Sequence, residues 1–596
     1  MIARMNLEPS PTRQDESRSY QKPAIRPEMT VRQVAADYPP CREIFVAYGE
    51  PTDRPGKFGH FQPLTHFARC RDICLDKLLE QLSQAANVPI DRSSGAAERI
   101  HRSFIVAALA ITLSLGAAWG AWLLWRIGTH QDFDAVAAAH IVAHGEAQLW
   151  GFIGFFIVGI SLRTVLLDAV RSRSGQYVCI GLFAFALISL AGGFAWSIVP
   201  RQLSALGLAS GVALLVVSLL FWGVQIWTLW PKRRLTWARA VMLSGWWLTI
   251  WAAATCFLRW QAGSAGPGTF STTARLLLIE LAVFGFAMNS IYGFGQLLLP
   301  GFLRTGRTRG WAIEAAFWLH NLGVAFIVMS STDFASKVPA VAGISSIAAG
   351  AIFFAIGQHV FIGKPRTSHR PEQGHRLLDL YIPLAFFWLI LSMLLLVAGH
   401  CYELVSQVTP PHAFTGAVRH ALTVGFMTTL ILGVGQRFLP VLEHTILRRQ
   451  GFVAPILILI AAGNLLRVTF ELATMWVAGA YFWMPISAVL EWTALLLFAI
   501  SVCSLMWHTD SLFKSGHVTN TSSLAVLLAE HPWLENHLIE RGSSYLARAR
   551  TVPRELTIGT FAHSEGEPAD ALVDDLNRLL LDTNRGLRPP HSNQIS

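Results

Sequence analysis

Long apolar runs recur along most of this chain, and short polar stretches separate them. Twelve of the runs are long enough to cross a membrane, because about 20 residues in a helix span the hydrocarbon core of a bilayer. The predicted spans are residues 103–126, 140–165, 177–198, 204–230, 237–259, 275–300, 311–331, 340–363, 380–402, 413–440, 452–475 and 482–507. The pattern therefore predicts an all-α polytopic membrane bundle of twelve helices.

One segment within these runs occurs three times, about 135 to 140 residues apart. Its first copy, residues 140–161, reads HIVAHGEAQLWGFIGFFIVGIS. When Glu146 is laid on Glu280 and Glu280 on His420, glycines and phenylalanines coincide without a gap. For the second and third copies the matches are Gly285, Phe286, Gly295, Gln296, Leu299 and Pro300 with Gly425, Phe426, Gly435, Gln436, Leu439 and Pro440. Repeats of this size predict a pseudo-symmetric bundle of three units with four helices each.

Each copy of the segment carries side chains near its start that can bind metal or protons. The first copy has His140, His144 and Glu146, and the other two have Glu280 and His420. An ionisable side chain inside hydrocarbon is costly, so such groups usually face a bundle interior and indicate a functional site.

Composition supports the membrane class, since hydrophobic residues are 53%, charged residues 14% and the mean hydropathy is +0.44. The net charge of +10 does not indicate nucleic acid as a partner, because the basic residues lie mainly in alternate loops. Those loops carry Arg171, Arg173, Lys232, Arg233, Arg234, Arg304, Arg307, Arg309, Lys364, Arg366, Arg370, Arg376, Arg448 and Arg449. Positive loops stay in the cytoplasm. Both chain ends are therefore predicted to be cytoplasmic, with the histidines in the outer half of the membrane.

The two ends of the chain are similar to each other. Residues 27–95 and 518–582 both show short helix signals, and VAADYP at 34–39 corresponds to LLAEHP at 527–532. We expect two small cytoplasmic helical domains around a membrane domain at 100–508, with disordered tails at 1–26 and 583–596. Cys70 and Cys74 could form a redox or metal pair in the first domain, but the second domain lacks these cysteines, so its fold does not need them.

The membrane segment resembles a known family. HGEAQLWGFIGFFIVGIS and RHALTVGFMTTLILGVGQR are similar to segments of the NnrS family, which are haem- and copper-containing membrane proteins of nitric oxide metabolism and nitrosative stress. NLLRV at 464–468 is similar to the later arginine-bearing helix of that family. The twelve-helix architecture in turn resembles the catalytic subunit of haem-copper oxidases. The terminal domains resemble short helical domains fused to proteins of nitric oxide response and iron–sulfur repair.

This resemblance implies a b-type haem clamped between the second and tenth helices by His144 and His420. Neutral imidazole is a good axial ligand for haem iron. Arg419 and Arg467 would pair with the haem propionates. A second haem or a copper ion would use His320 and Glu280, with His400 or His412, and His140 is a further candidate ligand. The sequence identifies no catalytic residue.

The chain also departs from the oxidase pattern. Glu280 stands in the sixth helix where oxidases have a copper-binding histidine, and His320 is single in the seventh helix where they have a pair. The tenth helix has one site histidine instead of two, and the crosslinking tyrosine is missing, although Tyr292 lies on the sixth helix. These differences favour a two-histidine haem over a terminal oxidase.

Structural roles compete with each of these assignments. His144 and His420 could pack helices by bonding to backbone carbonyls, His140 could lie at the membrane interface, and His400 and His412 could be surface groups. Asn464, Arg467 and Glu471 share one helical face, and Glu491 lies in the next helix. They form either an internal salt bridge that holds the eleventh and twelfth helices together or a polar route for protons and propionates.

Three functions are consistent with the sequence. The first is an NnrS-like haem protein of a bacterial inner membrane, with copper as an optional second metal, that handles a diatomic gas such as nitric oxide. The second is a haem-copper reductase of nitric oxide or oxygen with an electron donor. The third is a haem-free transporter or sensor. In each case the terminal domains are expected to dock a protein partner or each other.

Overall fold

A computed structural model describes most of the membrane segment and the packed parts of both ends. The described residues are 24–48, 62–70, 75–90, 99–303, 308–330, 337–361, 373–443, 447, 449–514, 518, 522–531, 533–548, 552–553 and 556–584. Within these ranges the chain is helical, and extended pairing is limited to isolated bridges.

The twelve predicted spans are confirmed as helices long and apolar enough to cross a bilayer. Membrane helices 1 to 12 are Ile100–His130, Ala138–Arg163, Arg173–Ile198, Ser204–Lys232, Thr236–Ala262, Thr272–Leu303, Gly310–Ser330, Lys337–Gly357, Leu377–Ser406, His412–Leu442, Gln450–Ala473 and Ala478–Met506. The chain is therefore an all-α polytopic membrane bundle. An even number of crossings puts both ends of the bundle on one face, called here the domain face. The opposite face, where membrane helices 2, 6 and 10 begin, is the site face.

Successive helices pack side by side, and membrane helix 12 contacts membrane helix 1, so the bundle closes into a ring. Membrane helices 2, 6 and 10 are the most buried. In the 18-residue apolar stretch of each, 61%, 67% and 67% of the residues are buried, against 39–50% in the other helices. The three copies of the repeated segment are therefore the inner helices. Their ionisable side chains face other helices instead of lipid.

Each inner helix changes to π-helical winding at the same point of the repeat. The π-helical turns are Ala147–Gly154, Leu281–Met288 and Ala421–Thr428. They begin directly after Glu146, Glu280 and His420, the residues that the sequence alignment superimposes. A π-helix is rare and is frequently found at functional sites. Three of equal length at equivalent positions support the threefold repeat.

Close helix contacts follow the same repeat. A Cβ atom at Gly433 would lie 2.4 Å from the Cβ of Tyr381, and one at Gly293 would lie 2.4 Å from a methyl of Val241. Both contacts join an inner helix to the first helix of its own unit. Gly159 approaches Phe104 in the same way in the first unit. Glycine at these positions lets the two backbones of each unit pack closely.

Exposed tryptophans lie near both ends of the bundle. Trp125, Trp260 and Trp476 are exposed near the site face, and Trp227 and Trp311 are exposed near the domain face. Tryptophan is enriched at membrane–water interfaces because its ring is apolar while its N–H needs a polar partner. These two belts agree with a bundle that spans a bilayer.

Buried charges join membrane helices 1 and 10 at the domain face. Glu443, the residue after membrane helix 10, accepts hydrogen bonds from His101 at 2.8 Å and from Arg102 Nε at 3.0 Å. Burial by itself raises the pKa of Glu443, but these two partners lower it to about 2. The carboxylate therefore stays ionised and connects the first and third units.

The two terminal regions share one arrangement of four short helices. The N-terminal helices are Val31–Asp37, Cys41–Ala47, Leu64–Cys70 and Leu75–Ala86. The C-terminal helices are Leu524–Glu530, Trp533–Glu540, Ile558–Ser564 and Ala569–Asn584.

A matching pair of backbone hydrogen bonds occurs in both regions. It joins Val31 N to Gln62 O and Leu64 N to Met29 O in one region, and Leu524 N to Leu556 O and Ile558 N to Ser522 O in the other. Residues 31 and 524 thus correspond, in the register that the sequence predicts.

Some predictions fall on residues outside the described ranges. The predicted tails lie there for residues 1–23 and 585–596, and so does Cys74 of the predicted cysteine pair. Cys41, also in the N-terminal region, is buried, and its thiol donates a hydrogen bond to the Leu82 carbonyl.

Gly433→Ala should destabilise the protein by about 1–3 kcal/mol, because the added methyl overlaps Tyr381 in a packed core. In an open helix the same change would stabilise by about 1 kcal/mol. Gly181→Ala is the control, since a Cβ there meets nothing within 4 Å. Thermal unfolding of both variants in detergent tests this. Equal melting temperatures would show that the close contact is not needed.

Glu443→Gln should cost about 3–5 kcal/mol at neutral pH, because it leaves His101 and Arg102 without their carboxylate. The lowered pKa of Glu443 means that this stabilisation is complete above the ordinary value of 4.5 and is lost as the pH falls toward about 2. Unfolding at pH 7, 5.5 and 3.5 should show the same gap at the first two values and a smaller one at the third. A gap that grows on acidification would contradict the ion pair.

Candidate functional site

His144 and His420 come together in the structure, although 276 residues separate them in the sequence. They lie on membrane helices 2 and 10 and are close enough to interact electrostatically. Both also interact with Arg467 of membrane helix 11. Two imidazoles and a guanidinium from the first and third units therefore share one space near the site face.

The two histidines are held in the same way. Nδ1 of His144 lies 3.0 Å from the carbonyl of Gly116, and Nδ1 of His420 lies 3.0 Å from the carbonyl of Gly416. A carbonyl can only accept, so Nδ1 carries the proton in each neutral ring. Nε2 of both rings then keeps its lone pair, which is the state that a metal ligand needs.

Local winding explains the contact of His144. A short π-helical turn in membrane helix 1, Thr112–Gly116, ends at the carbonyl that His144 bonds. One turn later, a Cβ atom at Gly120 would lie 2.5 Å from Cε1 of His144. Glycine at position 120 therefore leaves the space that the imidazole ring occupies.

Charged side chains surround the histidine pair. Arg467 is 4% exposed and donates to Glu471 Oε1 at 3.2 Å, and Glu471 Oε2 lies 3.6 Å from Nδ1 of His420. Arg419 interacts electrostatically with Arg467 and Glu471, and its Nε donates to the Thr415 carbonyl. We call His144, His420, Arg419, Arg467 and Glu471 the histidine–arginine cluster.

Two further basic groups lie at the edge of this cluster. His412 interacts with Arg419 and Arg467, and its ring packs 4.9 Å from that of Phe133. Arg275, in the first turn of membrane helix 6, interacts with both His412 and Arg419. Sequence reasoning missed Arg275, although its position near the start of the sixth run placed it at the level of the other groups.

The remaining predicted ligands do not join the cluster. The ring of His140 packs against Trp119 and Trp122 at 5.6 and 5.8 Å. Nδ1 of His400 lies 2.9 Å from the Leu396 carbonyl in its own helix. These contacts bring neither ring against another predicted ligand.

The predicted second metal group is also not assembled. His320 is buried, and its Nε2 donates to the Phe284 carbonyl at 2.8 Å, so this nitrogen is not free to bind metal. Glu280 makes no hydrogen bond or ion pair with another described residue. Across the described ranges, no three His, Cys, Asp or Glu side chains are placed to hold a metal ion.

Glu146 has a different role from its counterparts at positions 280 and 420. It pairs with Arg259 of membrane helix 5, and Arg259 Nη1 also donates to the Ser210 hydroxyl. The guanidinium carbon lies 5.7 Å from the Trp196 ring, and Gly193 leaves room for the guanidinium group. This buried ion pair joins the first and second units.

Comparisons with known proteins add no relative. No protein family matches the sequence, and no curated protein matches it significantly.

Glu146→Gln should destabilise the protein by about 3–5 kcal/mol, because Arg259 would keep its charge in a buried site without a counter-ion. Adding Arg259→Met should recover part of the loss. Glu314→Gln is the control, since its pair with Arg239 is 27–39% exposed and should contribute only about 0–1 kcal/mol. Thermal unfolding in detergent measures all three variants. Equal losses in the two single variants would contradict the buried pair.

Proposed function

We propose that this chain is an NnrS-like membrane protein that holds a b-type haem, with His144 and His420 as the axial ligands. The observation that supports this is the shared geometry of the two rings. They come from distant repeats, lie close together, and each has Nδ1 bonded to a carbonyl so that Nε2 stays available. A carbonyl bond to the second nitrogen is the usual support of a metal-binding imidazole.

The arginines fit the other end of a haem. Arg419 and Arg467 lie beside the histidines and would pair with the two propionates, and Arg275 adds a third positive charge at the same face. Arginine binds carboxylates through a planar, permanently charged fork of donors. When bound, the haem would supply an iron that exchanges electrons.

Nitric oxide handling is proposed from the resemblance of the repeated segments to the NnrS family. The terminal domains would then dock a cytoplasmic partner, such as an electron donor. The proposal is limited to haem, because the donor set in the described residues is a pair of imidazoles and not the larger set that a copper site uses.

The distribution of charge supports an orientation. Short loops at the domain face carry Lys232, Arg233 and Arg234, and Arg309 follows membrane helix 6 on the same side. By the positive-inside rule the domain face is cytoplasmic. We propose a bacterial inner membrane, with both terminal regions in the cytoplasm and the histidine pair in the outer half of the bilayer.

Purified protein should show the Soret and α bands of a bis-histidine haem. His144→Ala and His420→Ala should each lose these bands or change them to those of a five-coordinate haem, because each variant lacks one axial ligand. His400→Ala should leave them unchanged, since His400 lies outside the histidine–arginine cluster and bonds the Leu396 carbonyl. Absorption spectra and a pyridine haemochrome assay measure this.

A folded protein without haem would overturn the proposal and favour the transporter or sensor, as would unchanged spectra in both ligand variants. Turnover of nitric oxide or oxygen with an added electron donor would instead favour the reductase.

A further inference from the structure

Two members of the histidine–arginine cluster, Arg467 and Glu471, also belong to a polar group between membrane helices 11 and 12. Asn464, Arg467 and Glu471 share one face of membrane helix 11, and Glu491 approaches from membrane helix 12. Gly463 allows this approach, since a Cβ atom there would lie 2.8 Å from Cγ of Glu491. We call these four residues the helix 11–12 cluster.

The charges of the helix 11–12 cluster do not balance. Arg467 bonds Glu471 within the same helix at 3.2 Å, which matches one cation to one carboxylate. Arg467 therefore forms its salt bridge within membrane helix 11, and not between membrane helices 11 and 12 as one sequence-based alternative predicted. Glu491 has no hydrogen bond or ion pair with any described residue. The Glu491 carboxylate interacts with these charges only at longer range, where Arg467 attracts it and Glu471 repels it.

Several polar atoms in this cluster are buried without a hydrogen-bond partner in the described part of the chain. They are both amide atoms of Asn464, Nε and Nη1 of Arg467, Oε2 of Glu471 and Oε1 of Glu491. Asn464 is 1% exposed, so its amide cannot reach bulk water. Buried polar groups in proteins are almost always hydrogen-bonded, so such a concentration indicates a site that binds something small and polar.

The position of Glu491 limits what this cluster can bind. It lies near the middle of membrane helix 12, Ala478–Met506, where an unpaired charge is most costly. One proton on this carboxylate would make the whole cluster neutral, because Arg467 and Glu471 already cancel. The protonated acid would also gain an O–H donor, and Asn464 Oδ1 offers an unpartnered buried acceptor in the same cluster.

We infer that Glu491 is a proton-binding site within membrane helix 12, held as a neutral carboxylic acid by the helix 11–12 cluster. The charged groups around it are Arg467 and Glu471 on membrane helix 11. Arg419 and His420 of membrane helix 10 and His144 of membrane helix 2 interact electrostatically with Arg467. The proton comes from water, and no electron moves in its binding.

The site has a role if the proposed function holds, and in this respect alone it rests on that proposal. An electron that enters a haem held by the histidine–arginine cluster adds negative charge near Arg467. A proton bound by Glu491, on the neighbouring membrane helix 12, can compensate that charge without a large rearrangement. The proton site itself requires no haem.

Infrared spectroscopy of the full-length protein tests the inference. A protonated carboxylic acid has a C=O stretching band that shifts to lower frequency in D2O. Spectra should be recorded in a Glu280→Gln background, because Glu280 is a second membrane carboxyl without an ion pair. Glu491→Gln should remove the band. Glu314→Gln should leave it, since the Glu314 carboxylate is paired with Arg239.

Two further variants keep the outcome clear. If Glu491→Gln does not fold, Glu491→Asp should shift the band without removing it. The band should persist in His144→Ala protein, so loss of haem and absence of the proton site give separate results. An unchanged band in folded Glu491→Gln, or no band in the background protein, would overturn the inference.

Discussion

The cost of burying charge and unpaired polar groups in a membrane interior governs the arrangement of this bundle. Glu146 and Arg259 satisfy each other between two units, and Arg467 and Glu471 do so within one helix. The imidazoles of His144, His320 and His420 each bond a backbone carbonyl. Where this matching fails, at Glu280 and Glu491, ionisable groups lie within membrane helices without an ion pair among the described residues, and such groups indicate functional sites.

The π-helical turns supply part of the solution. A wider turn interrupts the regular ladder of backbone bonds, so a carbonyl near it can accept from a side chain. The Phe284 carbonyl, inside the turn of membrane helix 6, accepts from His320, and the Gly116 carbonyl, at the end of the turn in membrane helix 1, accepts from His144. Irregular winding is therefore tied directly to the positions of the histidine rings.

Hydrophobic periodicity predicted the twelve helices, internal alignment predicted the threefold repeat, and the family resemblance predicted the pairing of His144 with His420. These features depend on long, redundant patterns. Other features depend on single contacts between distant residues and leave no local pattern. The partner of Glu146 lies 113 residues away, in a different unit. His320 bonds the backbone carbonyl of Phe284, and a carbonyl contact of this kind has no sequence signature.

The positions held by Glu146, Glu280 and His420 carry different side chains although the helices around them repeat. Three identical chains around one axis would have the same side chain at all three positions. A single chain with three copies has no such requirement. One position could then become a counter-ion, another an isolated acid and the third a candidate ligand, each free to diverge without changing the other two.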